Sequence, residues 1–284
     1  MKKFPPYAGL LERSWHYVYL LICAFVFLYL ITPILLIIPL SFNAEPYFTF
    51  TKGMLALDAD AYSTRWYTDF FTSDSWIHSI KNSFIIAIAS TFIATALGTV
   101  AALGLSRSYM PGRTLIMSIL ISPMIVPLII SGAAMFFFYS NINLAQTFPG
   151  VILAHTALGT PFVVITVTAT LVGFDQQLVR ASQSLGATPM RTFFKIIMPL
   201  IAPGVISGAL FAFITSFDEV VIVLFLSGYE QRTIPLEMWS GIREQISPTI
   251  LAVATLLVTI SILLLTSLEM LRRRNEKLRG MSPG

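Results

Sequence analysis

Residues 174–199 read FDQQLVRASQSLGATPMRTFFKIIMP and form a more polar segment between two long apolar runs. The segment contains several residues that favour the ends of helices. Asp175 is a favoured residue at a helix N-terminus, and Gly186 favours the left-handed conformation that ends many helices. Thr188 can cap a second helix that has Pro189 at its first position, where the missing N–H costs nothing. The segment therefore predicts a short helix, a tight turn and a second helix.

The second of these helices is predicted to carry an apolar stripe. Four apolar residues fall at i, i+3, i+4 and i+7, which is one helical face: Met190, Phe193, Phe194 and Ile197. Pro199 is predicted to end this helix before the next apolar run begins. The pattern predicts an elbow that presents Gly186, Ala187 and Thr188, with an apolar face that needs a protein partner or a bilayer surface.

The composition of the whole chain is that of a membrane protein. Of 284 residues, 56% are hydrophobic and 11% are charged, whereas soluble domains have about 25% charged residues. So few polar side chains cannot cover long apolar runs in water, which excludes an ordinary soluble enzyme and a disordered chain. The single cysteine, Cys23, and three widely separated histidines do not form a metal-binding pattern.

Six apolar runs are candidates for membrane-spanning helices, which need roughly 20 apolar residues each. We predict spans at residues 17–40, 84–105, 115–138, 151–172, 200–217 and 249–268. No ionised residue occurs from Thr114 to Phe174, and Asn141, Asn143 and the Pro149-Gly150 pair divide this stretch into two spans. The predicted fold is an all-α polytopic membrane protein with six transmembrane helices.

Lysine and arginine are sorted between alternate segments. Thirteen of the eighteen lie in the N-terminus, the second-to-third loop, the fourth-to-fifth loop and the C-terminal tail. They are Lys2, Lys3 and Arg13; Arg107 and Arg113; Arg180, Arg191 and Lys195; and Arg272, Arg273, Arg274, Lys277 and Arg279. The positive-inside rule places these four segments in the cytoplasm, and it explains the net charge of +4 without nucleic-acid binding.

The predicted organisation follows from the spans and this orientation. Residues 1–16 form a cytoplasmic N-terminus, residues 17–271 a transmembrane domain and residues 272–284 a basic cytoplasmic tail. Within the transmembrane domain, residues 41–83 form an external loop and residues 174–199 a cytoplasmic loop. Both chain termini are therefore predicted to lie in the cytoplasm.

The cytoplasmic loop resembles the EAA motif of ABC-importer permeases. That motif reads Glu-Ala-Ala, three residues, Gly, nine residues and Ile-x-Leu-Pro, and this chain has Arg180-Ala181-Ser182, Gly186 and Ile196-Ile197-Met198-Pro199 at the same spacing. The resemblance implies the type I ABC importer permease fold, in which this elbow lies in a cleft of the ATPase subunit and transmits its closure. The residues implied in coupling are Arg180, Ala181, Ser182, Gly186, Ala187, Thr188 and Pro199.

Two residues depart from the motif. Arg180 replaces the acidic residue, which could alter an ion pair with the ATPase, and Ser182 replaces the second alanine. The alternative interpretation of the loop is an amphipathic helix pair that lies at the membrane interface.

Further landmarks resemble the spermidine/putrescine branch of these permeases. They are Ser41-Phe42-Asn43, Thr64-Arg65-Trp66-Tyr67, Ser122-Pro123, the segment Ser216 to Val221, Leu226-Ser227-Gly228 and Ile234-Pro235-Leu236. The resemblance implies a subunit of the bacterial inner membrane that assembles with a second permease, two copies of an ATP-binding subunit and a periplasmic binding protein. ATP and Mg²⁺ would be used by the ATPase, because this chain lacks a phosphate-binding Gly-Lys-Ser/Thr loop. The chain itself is expected to be a transport subunit and not an enzyme.

Asp218 and Glu219 are acids flanked on both sides by apolar, span-like sequence. A carboxylate in lipid is costly, so the pair should face a water-filled cavity or a helix break. In the polyamine branch the corresponding serine and acids line the passage of a cationic amine, which implies pathway roles for Ser216, Asp218 and Glu219. The alternative is that the acidic pair caps a helix end at the outer interface.

Trp66 matches an aromatic residue of the same branch. It could offer a cation–π face to an amine, contact the binding protein or anchor the chain at the membrane interface. Met124 follows Ser122-Pro123 at a position where polyamine permeases can have an aspartate, which weakens the polyamine prediction. Permeases for opines, amino-acid-like solutes and aminophosphonates have similar sequences, so these substrate classes stay open.

Two other function classes predict features that differ from those of a permease subunit. A secondary transporter driven by an ion gradient predicts inverted repeats and more ionisable groups within the membrane, and neither is clear in this sequence. An intramembrane hydrolase needs a nucleophile–base pair, whereas His155 has no ionisable partner in its own span. The sequence therefore favours the permease.

Overall fold

The computed structural model describes residues 9–107, 109–172, 174–244 and 247–278. Of the basic residues used to orient the chain, Lys2, Lys3 and Arg279 lie outside the described residues. The described chain is helical apart from its loops and one isolated antiparallel bridge between Asn43 and Tyr62, which confirms the all-α prediction. The longer helices are α1 (Leu10–Leu40), α4 (Asp74–Leu105), α5 (Arg113–Ile125), α6 (Leu128–Asn141), α7 (Phe148–Val172), α10 (Met198–Phe217) and α13 (Thr249–Leu278). The shorter helices are α2 (Lys52–Leu55), α3 (Arg65–Thr72), α8 (Gln176–Ser184), α9 (Pro189–Thr192), α11 (Val221–Leu226) and α12 (Ile234–Glu244).

Four helical stretches of the described chain are long and apolar enough to cross a membrane: Leu11–Leu40, Asp74–Leu105, Phe148–Val172 and Pro189–Phe217. They contain the first, second, fourth and fifth predicted spans. At the sixth, α13 begins at Thr249 as predicted, but its described apolar part, Thr249–Leu263, is shorter than a span requires. The total of six spans therefore stays a prediction.

The third predicted span, at residues 115–138, is wrong as one continuous helix. The chain instead forms α5 and α6, which are bent by 103° at a short break. Pro127 lacks the N–H that a continuing helix would use, and its ring pushes the preceding Val126 into an extended conformation with ψ 131°. Two helices thus replace one.

The described chain forms two compact units. One consists of the residues up to Ser73 together with those from Gly241, and the other of residues Asp74–Ser240. In the first unit, α13 packs against α1 and α3, and the Thr249 hydroxyl donates a hydrogen bond of 2.7 Å to Asp69 Oδ2. Few side chains of α1 are buried within the described chain.

The second unit is built around α4, α7 and α10, and small residues allow these three helices to approach closely. Small residues recur at every fourth position: Ser90, Ala94, Gly98 and Ala102 on α4, and Gly204, Gly208, Ala212 and Ser216 on α10. A Cβ built on Gly98 would lie 2.6 Å from Val163 Cβ, and one built on Gly208 would lie 2.8 Å from Val163 Cα. Larger side chains at these glycines would force the helices apart.

These contacts fix the directions of the three helices. Ala94 and Gly98 meet Gly159 and Val163 in the same order, so α4 and α7 are parallel. Gly208 and Ala212 meet Val163 and Gly159 in the opposite order, so α10 is antiparallel to both. The chain between α4 and α7 must therefore return along the core, and the bent pair α5–α6 makes this crossing. The loops after α4 and α7, which carry basic residues, leave the core at the same end.

Candidate functional site

The helix α10 ends at the predicted acidic pair. The Asp218 N–H donates to the Ile214 carbonyl at 3.0 Å and closes the last turn, and helix resumes at Val221. The C-terminus of a helix carries partial negative charge and disfavours carboxylates, whereas the N-terminus carries partial positive charge and favours them. The acidic pair follows the C-terminus of α10 and precedes the N-terminus of α11. The backbone break predicted for this pair is thus present, and it separates the environments of the two acids.

Glu219 and Asp218 have different surroundings. Glu219 is 7% exposed, and its Oε1 accepts a hydrogen bond of 2.9 Å from the Ile222 N–H, in the first turn of α11. Asp218 is exposed, and no side chain among the described residues forms an ion pair or hydrogen bond with its carboxylate. Helix capping, the alternative for the pair, therefore describes the Glu219 side chain, whereas the Asp218 carboxylate is exposed and has no partner among the described residues.

Ser216 lies inside the second unit and not on its surface. It is 5% exposed, and its Oγ is 2.7 Å from His155 Nδ1 on α7 and accepts a hydrogen bond of 3.0 Å from Ser90 Oγ on α4. The sequence does not reveal this partner of His155, because Ser216 is 61 positions away in the chain. The available signal was a polar residue within an apolar span, since such residues are costly and need a partner.

Trp66 belongs to the first unit and is half-buried in it. Its indole N–H donates to the Asn43 carbonyl at 2.7 Å, and the Arg65 guanidinium carbon lies 4.1 Å from the centre of the indole ring. One aromatic face is therefore already covered by a cation of this chain. The Asn43 side chain also donates to the carbonyls of Tyr47 and Thr49. The Trp66 indole therefore stabilises the folded segment at residues 43–49. A substrate-pathway role for Trp66 stays a prediction.

The elbow between α8 and α9 has the predicted local structure. Asp175 Oδ1 accepts from the Gln177 N–H at 2.8 Å, and Thr188 Oγ1 accepts from the Arg191 N–H at 3.4 Å. Gly186 has φ +77°. Its N–H donates to the Gln183 carbonyl and the Ala187 N–H donates to the Ser182 carbonyl, which is the Schellman pattern of a helix end.

The surface of the elbow is open. Arg180, Gly186 and Thr188 are exposed, as is Leu185 beside them with 88% of its area accessible. No carboxylate among the described residues pairs with Arg180. Within the predicted apolar stripe, Met190 and Phe194 are exposed, while Phe193 and Ile197 are half-buried. The elbow therefore has a basic and apolar surface that could be covered by another protein.

Pro199 does not end the second helix, and this prediction is wrong. Helical structure continues from Pro189 to Phe217, so the fifth predicted span begins earlier than residue 200. Residues Phe193–Ile197 form a π-helical turn in which the Met198 N–H reaches back to the Phe193 carbonyl. A π-turn absorbs an extra residue and relieves the clash that a proline ring would otherwise make with the preceding turn. The elbow is thus joined rigidly to the membrane helix.

Ser182 and Thr192 form a contact that the sequence did not predict. Their hydroxyl oxygens are 2.7 Å apart, both residues are buried, and the hydrogen bond joins α8 to α9. Ser182, which departs from the family motif, therefore stabilises the packing of α8 against α9.

We expect Ser182→Ala to loosen this elbow. A lost hydrogen bond of about 1 kcal/mol should raise amide hydrogen exchange of residues 176–192 about fivefold, because the two helices then open more readily. Ser184→Ala is the matched control, since Ser184 lies on the same helix but is exposed and bonds only to the Arg180 carbonyl. Equal exchange rates in the two variants would contradict this stabilising role.

Comparisons with known proteins agree with this architecture. A family model described as "Binding-protein-dependent transport system inner membrane component" matches residues 94–277. The spermidine/putrescine transport system permease protein PotC of Haemophilus influenzae is 30% identical over 250 residues, which are 88% of this chain and 94% of that protein. The putrescine transport system permease protein PotI of Escherichia coli is 32% identical over 254 residues, which are 87% of this chain and 86% of that protein.

A solved structure shares the fold. It is the crystal structure of a bacterial ABC transporter involved in the import of the acidic polysaccharide alginate, one chain of which aligns with a TM-score of 0.71. The alignment covers 94% of this chain and 99% of that chain at 13% sequence identity, so it shows the fold alone. The predicted ABC-importer permease fold is confirmed.

Proposed function

The chain belongs to the family of binding-protein-dependent transport system inner membrane components, and on this premise we propose that it carries a polyamine or a related amine solute. As a member of this family it is the permease subunit of an ABC importer, a transport component and not an enzyme. The observation that carries the solute proposal is the exposed, unpaired Asp218 at a helix break, in a chain similar to polyamine permeases along most of its length.

The position of Asp218 supports a place in a water-filled pathway. It lies between two apolar helices, α10 and α11, and a carboxylate there cannot face hydrocarbon without a cost of roughly 2.5–3.5 kcal/mol. Backbone breaks at membrane depth are tolerated where they line a cavity or are covered by protein. A carboxylate at such a break attracts an ammonium group and accepts charge-assisted hydrogen bonds from it.

Met124 is the observation that favours a different amine. Its side chain is 46% exposed, so this part of the chain has an apolar surface where some polyamine permeases would place a carboxylate. With fewer negative charges along the pathway, a solute with one amine and an apolar or acidic part becomes a candidate. Opines, amino-acid-like compounds and aminophosphonates have this chemistry.

The assembly of the importer is part of the proposal. This chain would form half of the pathway beside a second permease, with two ATP-binding subunits on the elbow side and a periplasmic binding protein opposite. ATP and Mg²⁺ would bind to the ATP-binding subunits. Support comes from the family description, which names binding-protein-dependent transport, and from the exposed elbow surface.

Orientation and membrane contact complete the proposal. The core places the loops that contain Arg107 and Arg180 at the same end, which agrees with a cytoplasmic location for both under the positive-inside rule. The chain would therefore span the bacterial inner membrane several times with both termini in the cytoplasm. The exposed apolar surface of α1 would contact lipid or the second permease.

Uptake by the purified importer tests the solute. The complete complex, with its ATP-binding subunits, second permease and binding protein, is reconstituted into vesicles and supplied with ATP and radiolabelled spermidine, putrescine, an opine or an aminophosphonate. We expect ATP-dependent accumulation of a polyamine. Accumulation of only the opine or the aminophosphonate would overturn the polyamine proposal and leave the permease assignment intact.

A further inference from the structure

His155 is a buried polar side chain that the proposed pathway does not use. It is 1% exposed, and its Nδ1 is 2.7 Å from Ser216 Oγ, which in turn is 3.0 Å from Ser90 Oγ. The three residues lie on three different helices, α7, α10 and α4. They form a single chain of hydrogen bonds through the core of the second unit.

The chain of hydrogen bonds lies at one end of the small-residue contacts between the helices. His155 and Gly159 on α7 face Ser216 and Ala212 on α10. A Cβ built on Gly159 would lie 3.0 Å from Ala212 Cβ, so the helices are close enough for the imidazole to reach the serine. The remaining contacts of this kind set glycines of α10 against Val163, Thr166 and Thr170 on α7. The hydrogen bond between His155 and Ser216 adds a directional link to this packing at the end of α10.

The buried imidazole of His155 satisfies only part of its hydrogen-bonding capacity. Neutral imidazole has one N–H and one lone pair, and Nδ1 uses one of them on Ser216. The buried Nε2 has no hydrogen-bond partner among the described residues, so in either tautomer one polar group remains unpaired. An unpaired buried group costs free energy. A phenylalanine of similar size would fill the same space without this cost. The feature that only the imidazole provides is the hydrogen bond between Nδ1 and the Ser216 hydroxyl.

Ser216 connects this cluster to Asp218, the residue proposed to meet the solute. It lies in the last turn of α10, two residues before Asp218, where the chain leaves its helix. We propose that His155 is a positioning residue for transport, which holds the end of α10 through Ser216 and thereby sets the place of the Asp218 carboxylate in the pathway. This inference rests on the proposed amine-transport function of Asp218.

His155→Phe removes the hydrogen bond and keeps a ring of similar size. We expect the reconstituted complex to assemble and to take up its amine with a KM raised about tenfold, because the carboxylate is no longer held in place. His155→Asn should restore uptake to within about threefold of the native chain, since the asparagine amide can replace Nδ1 as a partner of Ser216. Thr156→Val is the matched control, because Thr156 is the buried neighbour whose hydroxyl bonds within its own helix to the Ile152 carbonyl.

A double-mutant cycle separates positioning from general stability. Combined with Asp218→Asn, His155→Phe should raise KM no further, because the group that it positions is already absent. Independent, multiplying effects of the two substitutions would overturn the proposal, as would failure of His155→Phe, His155→Asn and Ser216→Ala all to assemble. The KM values are measured with the amine that the native complex transports. If the native complex carries no amine, the proposed function is wrong. If it carries an amine and the two substitutions act independently, only the positioning role of His155 is wrong.

Discussion

Gly186→Trp is expected to abolish solute uptake by the assembled importer while leaving this subunit folded. Gly186 has open space around it, because a Cβ built there would meet no atom within 4 Å. The added indole would therefore project outward from the elbow, into the surface on which we propose that an ATP-binding subunit docks. Overpacking a close contact costs about 1–3 kcal/mol, which weakens the docking roughly 5- to 150-fold, and displacement of the elbow from its docked position would interrupt coupling.

The control for this substitution is Gly186→Asn. The φ of +77° strains most side chains, but asparagine tolerates this conformation best after glycine. We therefore expect Gly186→Asn to retain uptake and Gly186→Trp to lose it, with both complexes purified and assayed for uptake and ATP hydrolysis in the same vesicles. Unchanged uptake by Gly186→Trp would exclude the coupling role of the elbow, and equal loss in both variants would assign the effect to backbone strain.

Asp218→Asn is expected to lower the uptake of a cationic amine about tenfold at low solute concentration. A hydrogen bond from an ammonium group to a carboxylate is worth about 1.5–3 kcal/mol, and about 1.4 kcal/mol corresponds to a factor of ten. The exposed carboxylate has no competing cation among the described residues, so the loss should appear directly in the KM for uptake. The effect should diminish at high salt, since exposed charges are screened.

Glu219→Gln is the matched control for Asp218→Asn. The two acids are adjacent, but the Glu219 side chain caps α11 through the Ile222 N–H, and a glutamine carbonyl can accept the same bond. We expect uptake by Glu219→Gln to stay within about twofold of the native value and Glu219→Leu to lower stability by about 1 kcal/mol, the usual cost of a lost cap. If Glu219→Gln impairs uptake as much as Asp218→Asn does, the division of roles between the two acids is wrong.

Much of the elbow could be predicted because its structure is decided by neighbouring residues. The capping hydrogen bonds join residues only a few positions apart and involve Asp175, Gly186 and Thr188. Such local preferences can be predicted without a tertiary structure. The same holds for the long apolar helices, since their length and hydrophobicity are properties of a continuous segment.

Prolines show where local reasoning fails. Pro161 and Pro203 lie inside α7 and α10 without ending them, and Pro199 follows a π-turn in a helix that continues, yet the helix is interrupted at Pro127. The residue type is the same in each case. Neighbouring turns and helices decide whether the freed backbone groups find other partners, so the sequence alone does not distinguish a kink from a break.

The sequence by itself determined that this chain is an all-α membrane protein, where its long apolar helices lie, and that a Gly186 elbow precedes the fifth of its predicted spans. Each of these depends on composition or on residues a few positions apart. The tertiary structure decided that Asp218 is exposed while Glu219 is buried, and that Ser216 meets both His155 and Ser90. Those outcomes depend on how three helices pack, and the bonded partners are 61 and 126 positions apart in the chain. No local preference encodes such a pairing, because it exists only once the small residues have brought the helices together.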